Sequence, residues 1–190
     1  LEEFFKIDAQ SQSAIIKSMR YQLYELEKKY FQKRVFGDRV LYVLITQSLC
    51  RKDPMDVVKA CMDAVADWIQ LREKEMEDAE FLKWIEKVQR VMKDRAHRLI
   101  INDRISLARL SHAGGVHLGQ GDLSTRQARE LLYFDQLLGR STHNISQARR
   151  AAGEKVDYIG VGPIFPTLTK QHRRAVGMKY LEAVKKINNL

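Results

Sequence analysis

The chain has 190 residues, 45% hydrophobic and 30% charged, with a formal net charge of +9. That is enough for one domain with a sizeable core. It excludes a membrane span, because no apolar run approaches the roughly 18 residues one needs. The segment "LEEFFKIDAQ" carries acids where an export signal carries bases, so a cytoplasmic protein is expected. Cys50 and Cys61 show neither metal-ligand spacing nor a disulfide framework.

The positive surplus is uneven. Residues 1–38 hold seven bases against six acids, whereas residues 89–150 hold eleven against five. Such a balance suits an anionic ligand. Aromatics interleaved with bases, which nucleic-acid binding calls for, are not visible. A phosphorylated small molecule is therefore the expected partner, with no nucleic acid and no membrane.

In chain order, residues 1–38 form a segment of their own. Ile16, Met19, Leu23, Leu26 and Tyr30 recur at helical spacing and predict an amphipathic helix. From residue 39 the pattern alternates. "VLYVLIT" (40–46) reads as a strand, and "DPMDVVKACMDAV" as a helix with proline at its start. "DWIQLREK" (67–74) is a strand ending in charge, followed by the amphipathic helix "EDAEFLKWIEKVQRVMKDR". "HRLIINDR" (97–104) precedes the short helix "ISLARLSH", and "GGVHLGQ" (114–120) precedes "STRQARELL", capped by Ser124. "LGRSTH" (138–143) precedes "NISQARRAAGE", capped by Asn144, and "VDYIGVGPIF" (156–165) precedes "GMKYLEAVKKIN" (177–188).

Six consecutive βα units with short apolar strands predict a parallel sheet covered by helices. Polar residues end strand after strand: Gln70, Arg72 and Lys74; Asn102 and Asp103; Gln120 and Asp122; Ser141 and His143; Thr167, Thr169 and Lys170. A doubly wound sheet gathers ligand groups at one crevice, whereas a barrel lets every strand end contribute. The pattern favours a (βα)8 TIM-barrel type, with about six of its units in residues 39–190 and a helical extension in 1–38. The last two βα units are expected to be lacking, and the isolated chain to be poorly active, because such barrels usually run to roughly 250 residues.

The strand ends suggest chemistry. Gln70, Arg72 and Lys74 would share one face of an extended strand, and two cations there call for an anion. Asp103 and Asp122 follow buried strands. Each alone reads equally well as a helix N-cap. Together, beside Arg72, Lys74 and Lys170, they suit Mg²⁺ bridging to diphosphate oxygens. The stiff loop "PIFPTLTK" (163–170) offers Thr167, Thr169 and Lys170 to a phosphate. His117 alternates with Val116 and Leu118, which leaves two placements open, the barrel interior and a packed layer. His143, just before a helix, reads as a structural hydrogen-bonding residue or an acid/base.

"WIQLREK", "LIINDR", "GVHLGQGDL", "GRSTHN" and "DYIGVGPIFPTLTK" together resemble the thiamine-phosphate synthase (thiamine-phosphate pyrophosphorylase) family, in the right order over residues 40–188. The resemblance implies a transferase of thiamine biosynthesis. It would join a pyrimidine methyl diphosphate to a thiazole phosphate with Mg²⁺ and release diphosphate. It implies that Gln70, Leu71, Arg72, Glu73, Lys74 and Asn102 line the pyrimidine diphosphate site, with Ser141 and Lys170. It implies that Asp103 and Asp122 hold Mg²⁺, and that Thr167, Leu168 and Thr169 cradle the thiazole phosphate. Arg72, Lys74, Ser141 and Lys170 would act in catalysis. Gly114 stands where the family usually has an acid, and Val65 where glycine is common. The family's last two strands, with their Gly-rich phosphate loop, have no counterpart in the sequence.

Two other functions compete. A thiazole tautomerase of the same barrel family would use His143 as acid/base. A catalytically inactive interaction module would account for the added helix. Oligomeric state is left open, a homo-oligomer included.

Overall fold

Six short strands carry the fold: β1 Tyr42–Ile45, β2 Trp68–Leu71, β3 Leu99–Asn102, β4 Gly115–Leu118, β5 Leu137–Thr142 and β6 Tyr158–Val161. They alternate with six helices: α1 Pro54–Asp63, α2 Asp78–Met92, α3 Ile105–Leu110, α4 Thr125–Leu131, α5 Ile145–Gly153 and α6 Gly177–Val184. The computed structural model describes residues 40–154, 156–167 and 174–187, together with Ser18, Met19 and Gln22. The chain divides into two compact units, Leu1–Val40 and Leu41–Leu190. The apolar stripe predicted over residues 16–30 lies outside the described residues, except for Met19, which is helical.

All strand pairs are parallel, and their order in the sheet is β1-β2-β3-β4-β5-β6. A doubly wound sheet reverses its order at a switch point. Here each strand lies beside the next in sequence, as a (βα)8 barrel builds up. The described residues thus form a partial barrel of six βα units, as the alternation predicted.

The two faces of the sheet differ in chemistry. Ile69 and Leu71, Leu99 and Ile101, Val116 and Leu118, and Leu138 point to the helices and are buried with Phe81, Ile85, Val88, Ala108 and Ala128. Full burial of each large apolar side chain stabilises by about 1.5–3 kcal/mol. The alternate positions point inward: Gln70, Ile100 and Asn102, Gly115 and His117, Gly139 and Ser141, Tyr158 and Gly160. The inner layer is polar and broken by glycine, so the barrel interior is where this sequence can accept a ligand.

Local signals set the helix starts. Asp53 caps α1 by accepting from Met55 and Asp56 amides, with Pro54 at the first helical position. Ser124 and Gln127 form a capping box at α4, and Asn144 accepts from the Gln147 amide at α5. Both predicted caps, Ser124 and Asn144, are thus used. In α2, Phe81, Trp84, Ile85, Val88 and Met92 form the buried stripe.

Candidate active site

At the inner face, a chain of hydrogen bonds runs across five strands. Gln70 Nε2 on β2 donates to the Tyr42 hydroxyl on β1 at 2.8 Å. The Tyr42 and Tyr158 hydroxyls lie 2.8 Å apart. The Tyr158 hydroxyl lies 3.2 Å from His117 Nδ1, and His117 Nε2 lies 2.9 Å from Ser141 Oγ. One donor direction satisfies every link. With Gln70 donating, Tyr42 gives its proton to Tyr158, Tyr158 to Nδ1, and Nε2–H to Ser141. The Ser141 proton is then left for a further acceptor.

Two glycines make room for this layer. A Cβ on Gly139 would stand 2.1 Å from the Tyr158 ring. One on Gly160 would stand 3.1 Å from the His117 ring. Burial raises the pKa of Tyr42 to about 12, against the hydrogen bonds with Tyr158 and Gln70. Burial also raises Tyr158 well above its ordinary value, with Tyr42 adding to the rise. The phenols stay neutral and keep their protons in the chain.

At the carboxyl ends of β2, β3 and β4 the groups are charged. Lys74 Nζ lies 2.6 Å from Asp103 Oδ2. Asp122 Oδ2 accepts the Gly119 amide at 2.6 Å. Burial raises the Asp122 carboxyl, the Gly119 amide lowers it, and Asp103 raises it again by charge and hydrogen bonding. The two carboxylates therefore stand close enough to act on each other. Neither is a helix N-cap: Arg104 and Ser124 hold those positions. Asp103 has φ +63, an uncommon conformation for a residue with a side chain. Among the described residues no group of three or more His, Cys, Asp or Glu is placed to hold a metal ion. Two converging carboxylates that repel each other nonetheless fit a hard cation that takes its remaining oxygens from phosphate and water.

The other predicted site residues fall as follows. β2 ends at Leu71, so Arg72 and Lys74 stand in the loop after it rather than on one strand face with Gln70. Arg72 is half-buried there. Leu71 belongs to the helix-facing layer and is fully buried. The Glu73 carboxylate, buried to 8% exposure, accepts the Gln47 amide at 2.7 Å. Its pKa is raised by burial, against the Gln47 amide and the charges of Arg72 and Arg104. Asn102 is buried on the inner face in register with His117. Gln120 Nε2 donates to the Ser141 carbonyl at 2.6 Å, tying the β4 loop to β5. His143 Nδ1 bonds the Gly162 carbonyl, at the root of the loop that leads to Thr167. Thr167 is half-buried, and Leu168, Thr169 and Lys170 lie outside the described residues.

The sequence reading did not single out Tyr42 and Tyr158. In "VLYVLIT" and "VDYIGVG" each looks like any aromatic in a buried strand. The one available hint was Gly139 and Gly160, small residues on neighbouring strands.

Gly114 also has a physical reason here: a Cβ on it would meet the His97 carbonyl oxygen at 1.8 Å.

Comparison with known proteins gives a consistent result. The family profile described as thiamine monophosphate synthase matches residues 41–190. A thiamine-phosphate synthase of Prochlorococcus marinus (strain MIT 9303) is 36% identical over 199 residues, covering 100% of this chain and 56% of the relative. One from Thermosynechococcus vestitus is 33% identical, covering 98% and 54%. The chain thus spans about half the length of the curated relatives it matches. Among solved structures, thiamine phosphate pyrophosphorylase from Pyrococcus furiosus superposes with a TM-score of 0.67 at 25% identity, covering 78% of this chain and 71% of that one. The Bacteroides thetaiotaomicron protein of the same description shares the fold, with a TM-score of 0.54 at 15% identity over 78% of this chain and 66% of that one. With a polar barrel interior, paired carboxylates at the strand ends and a profile match over residues 41–190, the chain belongs to the thiamine monophosphate synthase family.

Proposed function

We propose that this protein is a thiamine-phosphate synthase, a transferase that joins 4-amino-2-methyl-5-(diphosphooxymethyl)pyrimidine to thiazole phosphate. The observation that carries this reading is the meeting of Asp103, Asp122 and Lys74 at the strand ends, next to the hydrogen-bonded Tyr42–Tyr158–His117–Ser141 layer, where the Asp103 amide donates to the His117 carbonyl at 2.9 Å. The Arg72 and Lys74 side chains suit a diphosphate, and the hydrogen-bonding layer suits a heteroaromatic ring.

In the reaction the C–O bond to diphosphate breaks with its electron pair leaving on oxygen. The thiazole nitrogen lone pair then forms the new C–N bond. Arg72 and Lys74 bind the departing oxygens and offset their growing charge. Ser141 offers its remaining hydroxyl proton, because His117 already occupies its acceptor side. Asp103 and Asp122 would hold Mg²⁺, whose charge would add to that neutralisation. Lys170 would reach the diphosphate from the β6 loop, and Thr167 with Thr169 would take the thiazole phosphate.

His143 separates this reading from tautomerase chemistry. Its Nδ1 is engaged by the Gly162 carbonyl, which ties it to the β6 loop in either reading. The test is a mixing assay with purified protein. Diphosphate release that requires both substrates and Mg²⁺ is expected. Isomerisation of a thiazole carboxylate by the protein alone would replace this reading with the tautomerase.

A further inference from the structure

Residues 72–77 link β2 to α2 with no helix or strand of their own, yet they must aim Lys74 at Asp103. We propose that Arg104 is a positioning residue that braces this loop and so presents the Lys74 ammonium to the site. The diphosphate part of this inference rests on the function proposed above; the brace itself does not.

Three elements of geometry carry it. Arg104 Nη1 donates to Asp78 Oδ1 at 2.6 Å, in the first turn of α2. Arg104 Nη2 donates to the Met76 carbonyl at 2.5 Å and stands 3.5 Å from the Lys74 carbonyl. The guanidinium carbon lies 5.3 Å from the centre of the Phe81 ring, which is fully buried. The side chain is 21% exposed in its pair with Asp78. One planar fork thus reaches a carboxylate, a carbonyl and an aromatic face at once. A lysine carries a single point charge and cannot match that geometry.

Sequence neighbours divide the work. Asp103 takes the Lys74 ammonium at 2.6 Å, while Arg104, the next residue, holds the Lys74 loop by its backbone. The positive φ of Asp103 turns the two consecutive side chains to these separate tasks. On the opposite side, Thr46 Oγ1 donates to the Arg72 carbonyl at 2.8 Å, and Glu73 accepts the Gln47 amide at 2.7 Å. The loop is gripped from β1 and from β3. Bringing Arg104 close to Arg72 and Lys74 has an electrostatic cost, which Asp78, Glu73 and Asp103 offset.

The experiment compares wild type, Arg104→Lys, Arg104→Met, Lys74→Met and the Arg104→Lys/Lys74→Met double variant. Backbone ¹⁵N order parameters are read at Lys74–Glu77, and binding of inorganic diphosphate with Mg²⁺ is read by calorimetry. In Arg104→Lys the order parameters should fall from about 0.85 towards 0.6. Diphosphate affinity should fall about tenfold, as expected for lost charge-assisted hydrogen bonds. In the Lys74→Met background the same change should cost little more, because Arg104 acts through Lys74. Arg104→Lys keeps the charge, so it remains informative if Arg104→Met fails to fold. Unchanged order parameters in Arg104→Lys, or fully additive losses in the double variant, overturn the proposal. A loosened loop in a protein whose wild type binds no diphosphate supports the brace and refutes the diphosphate reading instead.

Discussion

The hydroxyls of Tyr42 and Tyr158 meet at 2.8 Å, although 116 residues separate them in the chain. One comes from the first strand and the other from the sixth, so the sheet must curve to bring them together. Removing the Tyr158 hydroxyl leaves His117 Nδ1 without that donor and Tyr42 with Gln70 alone. Tyr158→Phe should cost about 1–3 kcal/mol, the penalty for unpaired buried polar groups. Urea unfolding measures this. A midpoint unchanged from wild type would show that the chain of bonds contributes nothing to the fold.

The same pair sets an alkaline limit. Tyr42 is pushed up to about 12, chiefly by burial, while an unfolded tyrosine titrates near 10. Between these values the native state keeps a proton that the unfolded state has released. Stability should therefore fall as pH rises from about 10 towards 12. Tyr42→Phe should flatten that slope in unfolding curves taken at pH 9, 10 and 11, values of about one unit's spacing around the unfolded pKa.

Gly139 is the glycine of "GRSTHN", and the Tyr158 ring occupies the space of its missing side chain. Gly139→Ala should expel the ring and destabilise by about 1–3 kcal/mol through overpacking. Tyrosine fluorescence and the unfolding midpoint should both change. A variant with wild-type values in each would mean the ring has room to move aside.

Asp122 carries a raised pKa because it is buried and faces Asp103. Its charged form is penalised in the fold, so its contribution to stability declines as pH rises above about 3.9, the unfolded value. A divalent cation should reverse this. Mg²⁺ should raise the melting temperature at pH 7 and lower the Asp122 pKa seen by carboxyl NMR. Asp122→Asn should fold, lose the Mg²⁺ response and lose most turnover. A full Mg²⁺ response in that variant would remove Asp122 from the metal site.

Val65 follows the C-cap of α1 with φ +56. Its amide bonds the Met62 carbonyl, and the Ala66 amide bonds Cys61, the pattern of a Schellman cap. Glycine is preferred at this position, and Val65 is 68% exposed, so its side chain packs little. Val65→Gly should stabilise by about 1 kcal/mol, or about 2–4 °C in melting temperature. A lower melting temperature would place the strain elsewhere.

His143 tests the β6 loop. The amide nitrogen of asparagine can take the place of Nδ1 towards the Gly162 carbonyl, whereas glutamine places its amide nearer to Nε2. His143→Asn should therefore retain more diphosphate-releasing activity than His143→Gln, and neither should abolish it. Loss of all activity in both well-folded variants would indicate an acid/base role.

Much of this protein was already decided along the chain. The alternation of short β-branched runs with amphipathic helices is local, and so are the caps at Ser124 and Asn144; these required only periodicity and turn chemistry. The strand-end carboxylates Asp103 and Asp122 were legible because charge just past a buried strand is conspicuous. Which of the neighbouring residues face the interior was a different matter. Leu71 and Glu73 sit inside the same motif as Gln70 and Arg72, yet Leu71 packs against the helices and Glu73 turns to Gln47. The strand stops at Leu71, so alternation could not be carried through to Lys74. Tyr42, Tyr158, His117 and Ser141 come from four strands, and their hydrogen bonds span 24 to 116 residues. No local pattern encodes a contact over such separations. It exists only once the parallel register is set and the sheet curves, and Gly139 and Gly160 leave it the space.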